Sequence, residues 1–297
     1  MNLHHLDVFA AVARAGSVSR GADALAISQP AVSKQLRELE RSLRTKLVDR
    51  HAKGVELTAA GRVLADYANR IFSLATEAQQ AVQDLSTLSD GRLSVGAGPT
   101  VGVYLLPRAI VQFRRRFPRV KLHLETVGPK LLSQGLADGG LDLVLTEAPL
   151  SGLDIEATTF AHDVLVPIAP ATHPFVKQRT LRAEDFCREP FIARQTESGE
   201  KSLVERTFAA RNLDVQPALT VSSTEAMKQA VIAGVGVSVV SRLAIQTELA
   251  AKQLVELPIP RLAIRYPIHL VKRRGRTDPA ATRTFLEIVR QCMPADT

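Results

Sequence analysis

"SVSRGADALAISQPAVSKQLRELERSL", Ser17 to Leu43, is punctuated like two helices meeting at a sharp turn. Before it, Leu3, Leu6, Phe9, Ala10, Val12 and Ala13 recur at helical spacing, and Gly16 ends that helix. Ser17 stands where an N-cap is needed for a second helix, whose short apolar stripe is Val18, Ala22 and Leu25. Ser28 caps a third, with Gln29 and Pro30 in its first turn, where proline costs nothing. In this third helix Val32, Leu36, Leu39 and Leu43 point one way, and Ser33, Lys34, Arg37 and Arg41 another. Small hydroxyls and cations on one exposed stripe suit a nucleic-acid groove: hydroxyls reach base edges, cations hold phosphates or guanine. An ordinary amphipathic helix with a wet basic face would carry the same pattern, so the next residues decide.

"KLVDRHAKGVELT" (46–58) reads as a strand, a turn with Gly54 and a second strand, with Arg50 and Lys53 at the bend. A basic hairpin after such a helix is a wing, placed against the DNA backbone or in the minor groove. Between Gln29 and Lys53 seven Lys and Arg stand against three acids. An N-terminal all-α winged helix-turn-helix, residues 1–58, is therefore expected to bind double-stranded promoter DNA through Ser28, Gln29, Pro30, Ser33, Lys34, Arg37, Arg41, Arg50 and Lys53.

Thr58 caps a long helix. After Gly61 neither Gly nor Pro occurs until Gly91. Leu64, Ile71, Ala78 and Leu85 are seven apart, and Tyr67, Leu74, Ala81 and Leu88 follow three residues behind each. Such a four-heptad seam over about 27 residues spans ~40 Å. It predicts a dimerising linker, 59–91, paired through Leu64, Tyr67, Ile71, Leu74, Ala78 and Leu85, with "SDGR" (89–92) as a hinge.

From Arg92 onward strands and helices alternate: "RLSVGAG", "VYLLPRAIVQFRRRF", "KLHLETV", "KLLSQGLADG", "LDLVLTEA". The pattern restarts after Ala161 with "DVLVPIAP", and the strand "YPIHLVK" (266–272) and the helix "AATRTFLEIVRQC" (280–292) come near the end. This predicts a C-terminal α/β domain, 92–297, with two open sheets. One lobe takes 92–161 and 265–297, the other 162–264. Ligands of such folds sit at the carboxyl ends of strands, in the cleft between lobes.

With 297 residues, 45% of them hydrophobic, the chain has material for two cores. The net charge of +8 favours polyanionic partners or anionic ligands. The longest apolar run, "AVIAGVGVSVV" (230–240), is too short to span a bilayer. The N-terminus has no basic start and no apolar core, so a cytoplasmic location without a signal peptide is expected. Cys187 and Cys292 lack a CxxC partner and read as reduced thiols. The histidines show no metal-ligand spacing beyond the adjacent pair His4–His5, and neither GxSxG nor HExxH occurs, so neither a metal, a cofactor nor an enzyme is expected. "GAGPTVG" (96–102) nearly matches a dinucleotide fingerprint, but its third glycine falls one residue late and Pro99 interrupts the turn. A solute-binding or nucleotide-binding α/β protein is the alternative reading.

The run "GSVSRGADALAISQPAVSKQLRELERSLRTKLVDRHAKGVELTAAG" resembles the LysR-type transcriptional regulators. The marks are Gly16-Ser17, Ala22, Leu25, "SQPAVS", Leu39-Glu40, Leu47, Arg50 and "LTAAG" at 57–61. Two departures stand out: Arg44 where the family usually has Gly, and Val48 where it usually has Phe. The resemblance implies a two-lobed, periplasmic-binding-protein-like effector domain, allosteric control by a small molecule, a homo-oligomer that is a dimer of dimers, and contact with RNA polymerase. "GAGPTVGVYLLP", "GLADGGLDLVLTEAP" and "SSTEAMKQAVIAGVGVSVVS" are closest to regulators of carbon-fixation and sulfur-metabolism operons.

Strand-to-helix junctions supply the effector candidates: Pro99, Thr100, Val101, Gly128, Lys130, Thr146, Glu147, Gln195, Thr196, Ser198, Ser222 and Ser223. The helix start at Thr100 offers N–H groups to an anion. Lys130 replaces the family's usual Thr, and "SGEK" (198–201) replaces its SG-T-R run. Lys130, Glu200 and Lys201 alter the site's charge, so the subgroup's ligand does not carry over. A small anionic metabolite is expected.

Overall fold

A computed structural model describes residues 2–51, 54–86, 91–150, 152, 154–178, 180–195, 199–275 and 278–294. It divides into two compact units, Met1–Ser86 forming the body of one, Thr87–Leu136 with Leu141–Thr297 that of the other.

The first unit opens with α1 (Leu3–Ala15), α2 (Val18–Ala24) and α3 (Gln29–Leu43). Each start carries its cap. Asn2 accepts from the His4 N–H, Ser17 from Arg20, and Ser28 from Ala31. Gly16 ends α1 in the left-handed conformation that glycine adopts without strain. Leu6, Phe9 and Val12 meet Val32, Leu36 and Leu39 in one fully buried core. The hairpin β1 (Val48–His51) and β2 (Gly54–Leu57) follows, and Val48 fills the place of the bulkier residue while staying buried.

The acid Glu40 of α3 does not oppose DNA. It turns inward, and its carboxylate accepts the Leu47 and Val48 N–H groups at 2.8 and 3.3 Å, fixing the wing to the reading helix. Arg44 does not lengthen α3. It adopts φ 53° and ends the helix as a left-handed cap, a position that favours glycine.

Helix α4 (Ala59–Ser86) starts on a Thr58 cap to Gly61. The expected seam divides between two surroundings. Leu64 and Ile71 pack partly into the unit's own core beside fully buried Ala68. Tyr67 and Leu74 stay exposed, 55% and 65%, as does Ala78. The side chain of Leu85 and residues 87–90, which include Ser89 and Asp90 of the expected hinge, lie outside the described residues.

In the second unit β3 (Arg92–Ala97) leads through a π-helical turn (Val101–Leu105) into α5 (Leu106–Arg116). Then come β4 (Lys121–Thr126), α6 (Pro129–Ala137), β5 (Leu143–Thr146) and β6 (Ile155–Pro170). They are followed by α7 (Ala183–Phe186), β7 (Phe191–Arg194), α8 (Gly199–Ala210), β8 (Pro217–Val221), α9 (Thr224–Ile232), β9 (Ser238–Ser241), α10 (Gln246–Ala250) and β10 (Leu254–Glu256). Finally β11 (Ile264–Arg273) precedes α11 (Ala280–Gln291).

Two separate open sheets are the expectation from sequence, and the structure corrects it. One seven-stranded sheet runs β10-β6-β11-β5-β3-β4, with β9 also on β6, and a small parallel pair β7-β8 lies beside it. The reason is length. β6 and β11 pair antiparallel from Ile264↔Leu165 to Arg273↔Ile155, with a bulge between Ile268 and His269 opposite Ala161. On one side of the bulge lies a core around Phe113, Leu143, Ile268 and Phe285. On the other lies a core around Phe186, Phe191, Val237 and Tyr266. These are the two lobes. Among the described residues no helix is long and apolar enough to cross a membrane.

Replacing Arg44 by Gly removes a left-handed non-glycine residue, so R44G should stabilise the first unit by about 1 kcal/mol. Leu36→Ala, which empties a fully buried site, should cost about 2–5 kcal/mol. Thermal unfolding of both variants checks the pair of signs. Destabilisation by R44G would show that the charge contributes more than the strain costs.

Candidate functional sites

On α3 the side chains of Gln29, Pro30, Lys34, Arg37 and Arg41 are exposed and Ser33 is half-buried, opposite the buried Val32, Leu36 and Leu39. Ser28 spends its hydroxyl on the helix cap, which fixes where the exposed row begins. The Arg50 side chain and Lys53 lie outside the described residues.

In the effector unit the expected helix start is present, but its N–H groups are not free. The Val101 N–H donates to Glu147 Oε1 at 2.7 Å. Thr100, 1% exposed, caps nothing and instead donates its hydroxyl to Glu200 Oε1 at 2.6 Å. Thr100 follows β3 in one lobe, whereas Glu200 opens α8 in the other, so this bond crosses the cleft. Glu200 is further held by Arg194, whose guanidinium reaches Oε2 at 3.3 Å, with the Tyr266 hydroxyl 3.4 Å from Oε1. Arg194 also donates to Thr224 Oγ1 at 3.0 Å. Tyr266 donates to Asp163 Oδ2 at 2.6 Å, and the Ser241 hydroxyl donates to the same carboxylate.

A second crossing lies one turn along the π-helical segment. The Tyr104 hydroxyl is 3.3 Å from Glu225 Oε2, and the Lys228 ammonium sits 4.8 Å from the centre of the Tyr104 ring. Buried Lys228 also binds Glu248 at 2.6 Å and the Ala244 carbonyl at 3.0 Å. Burial alone would lower its pKa, but hydrogen bonds to Glu225 and Glu248 win and raise it.

Of the sequence-derived effector candidates, the structure gathers Thr100, Val101 and Glu147, with buried Thr146 beside them. Pro99, Gly128, Lys130, Gln195 and Ser222 are exposed, and Ser223 caps α9 through the Ala226 N–H. Thr196 and Ser198 lie outside the described residues. Sequence reasoning misses Arg194, Asp163, Tyr266, Tyr104 and Lys228, and marks Glu200 only as a change of charge. That departure from the family run is the available signal.

The carboxylates press on one another. Burial, then the neighbouring Glu200 charge, pushes the Glu147 carboxyl up to about 7. Burial likewise raises Glu200 and Asp163, and drives the Tyr266 phenol well above its usual range. Gly98 is required here, because a Cβ would collide with Glu147 Oε2 and press on Thr146 Oγ1.

Because the folded pKa of Glu147 lies above its ordinary 4.5, the proton is held more tightly in the folded state. The resulting stability is fully present below about 4.5 and is lost as pH rises through about 7. The unfolding free energy of the effector unit should fall by on the order of 3 kcal/mol as pH rises from about 4.5 to about 7. Glu147→Gln should flatten that slope. An equal slope in the variant would remove Glu147 as its source.

Comparison with known proteins agrees with both units. The profile "Bacterial regulatory helix-turn-helix protein, lysR family" matches residues 3–62, and "LysR substrate binding domain" matches 86–294. The chain is 36% identical over 289 residues to the RuBisCO operon transcriptional regulator of Allochromatium vinosum, covering 97% of this chain and 95% of that protein. It is 31% identical over 285 residues to the HTH-type transcriptional activator CmpR of Synechocystis sp., covering 96% and 93%. A full-length OxyR variant from Pseudomonas aeruginosa, with one cysteine changed to aspartate, shares the fold with a TM-score of 0.78 at 22% identity, covering 98% of this chain and 95% of that one. The Synechocystis CcmR regulatory domain in complex with 2-PG aligns with a TM-score of 0.61 at 26% identity, over 70% of this chain and 99% of that domain. With a DNA-reading unit and an effector unit that both match, the chain belongs to the LysR family of bacterial transcriptional regulators.

Proposed function

We propose that this LysR-type regulator works in the cytoplasm, where a small anionic metabolite bound between the lobes of its second unit controls its hold on promoter DNA. The observation carrying this reading is a donor set drawn from both lobes. The Thr100 hydroxyl and the Arg194 guanidinium donate to one carboxylate, that of Glu200, with the Tyr266 hydroxyl 3.4 Å from it. Hydroxyl and guanidinium donors in a nearly buried setting form a carboxylate-binding constellation. The similarity to a regulatory domain solved with 2-PG supports a small-molecule effector. The relatives that regulate RuBisCO operons make promoters of carbon-assimilation genes the first DNA to test.

A ligand that prefers one closure of the lobes shifts the population toward it, by no more than its differential affinity for the two states. The exposed Tyr67 and Leu74 support pairing through α4, which would set the spacing of two DNA readers. A dimer of dimers that contacts RNA polymerase fits the same scheme.

Lys34→Ala should weaken binding to the chain's own upstream promoter by about 1–3 kcal/mol if the ammonium reads a base. A gel shift at fixed salt measures it. Unchanged affinity would move the reading face off this stripe. Thr100→Val should abolish calorimetric heats with any anion that binds the wild type, while the ligand-free unfolding midpoint stays within a few degrees. Normal anion binding by Thr100→Val would overturn the site.

A further inference from the structure

The carboxylate held by those donors is the chain's own. Glu200 lies on the first turn of α8, and its two oxygens take the Thr100 hydroxyl and the Arg194 guanidinium. Both Arg194 and Glu200 side chains are only 11% exposed, so this is a dry pair. Arg194 is not saturated by it: its Nε–H is buried without a partner among the described residues. A buried donor left unmade is costly, and planar guanidinium favours two parallel bonds to one carboxylate.

Beside the pair is a cavity of about 60 Å³. Phe191, Ile192, Val204, Met227, Val239 and Val240 give it apolar walls, and Arg194, Glu200, Lys201, Glu205 and Thr224 line its polar side. An apolar cavity of ~150 Å³ takes a benzene ring, so by proportion this one takes a tail of about two or three carbons. A polar corner built for a carboxylate thus adjoins a small apolar socket.

We propose that Glu200 is an internal stand-in for the effector, and that the effector is a small carboxylate with a two- or three-carbon apolar tail. The ligand's carboxylate replaces that of Glu200 on Thr100 and Arg194, and its tail fills the socket under α8 and α9. The proposal rests on the anionic-effector reading and narrows it to a chemical class. Tethered to α8, the Glu200 carboxylate competes at every encounter, so the apparent affinity for ligand is reduced by the fraction of time the donors are free. The ligand's gain over Glu200 is the tail, which the glutamate stem does not place in the socket.

The test is calorimetry on the full chain with butanoate, acetate, 1-butanol, succinate and inorganic phosphate. Glu200→Gln keeps the shape of the side chain and removes the competing charge. It should bind butanoate at least ten-fold more tightly than the wild type. Glu200→Asp, which shortens the reach to Thr100, should shift it in the same direction. Glu184→Gln, the same charge change on an exposed residue of α7 that lies 3.9 Å from Arg261 and does not line the cavity, should alter it less than two-fold. Val240→Phe, which fills the socket, should bring butanoate down to the affinity of acetate, and 1-butanol should not bind any form. Butanoate affinity unchanged in Glu200→Gln, equalled by Glu184→Gln, or no greater than that of acetate would overturn the proposal. If succinate or phosphate binds in a Thr100-dependent way and butanoate does not, this proposal fails while the anionic reading stands. If no anion binds the wild type or Glu200→Gln, both fail.

Discussion

The effector unit depends on the pairing of β6 with β11. Every residue from Ile264 to Arg273 finds a partner on β6, and the two strands pass from one hydrophobic core into the other. A single interruption, the bulge at Ile268/His269, is where the pair changes core. Backbone pairing continues on both sides of it, so each lobe is held on a continuous ladder. Asp163 and Tyr266 sit opposite each other near that step, and their hydroxyl–carboxylate bond lines the cleft floor. The same two strands that join the lobes therefore also supply two of the polar groups between them, Asp163 and Tyr266.

Those polar groups set the electrostatics. Three carboxylates, Glu147, Glu200 and Asp163, share the space with one guanidinium, and burial raises all three. Apart from Arg194 on Glu200, their partners are hydroxyls and backbone N–H groups, which stabilise charge without supplying it. The second crossing, Tyr104 with Glu225 and Lys228, has a different character: a cation buried between two acids and an aromatic face. Beside one crossing the Glu147 carboxyl is pushed up to about 7, whereas the other keeps its charge. The π-helical turn bears both Val101 and Tyr104, so a wider helical pitch at one spot aims both at the cleft.

Legibility in the sequence follows periodicity. α3 can be read because Val32, Leu36 and Leu39 repeat at helical spacing behind a Ser28 cap, and the wing because Gly54 falls between two short apolar runs. β6 is legible only as "DVLVPIAP", its buried half, since "IEATTF" is mostly exposed and carries no alternation. Its true length makes the sheet continuous, which is why the sequence alone suggests two sheets. Of the site, Thr100 and Glu147 are legible from the rule that ligands gather at strand ends. Arg194, Asp163 and Tyr266 are not, because charged residues and tyrosines default to surface or core and nothing local says that three distant segments meet. The α4 seam shows the converse limit. Heptad spacing finds an apolar stripe but does not divide it between the unit's own core, which takes Leu64 and Ile71, and an outer face bearing Tyr67 and Leu74.

The closeness of Gly98 to Glu147 constrains how this cleft can change over generations. Any side chain at 98 would strike the Glu147 carboxylate, whereas shortening residue 147 would strike nothing and would open the room. The two positions are thus ordered: a replacement at 147 has to come first, and one at 98 becomes tolerable only afterwards. Once a methyl group occupied 98, return to a long acid at 147 would be blocked. A lineage that tried a different chemistry at this corner would find that the path behind it had closed.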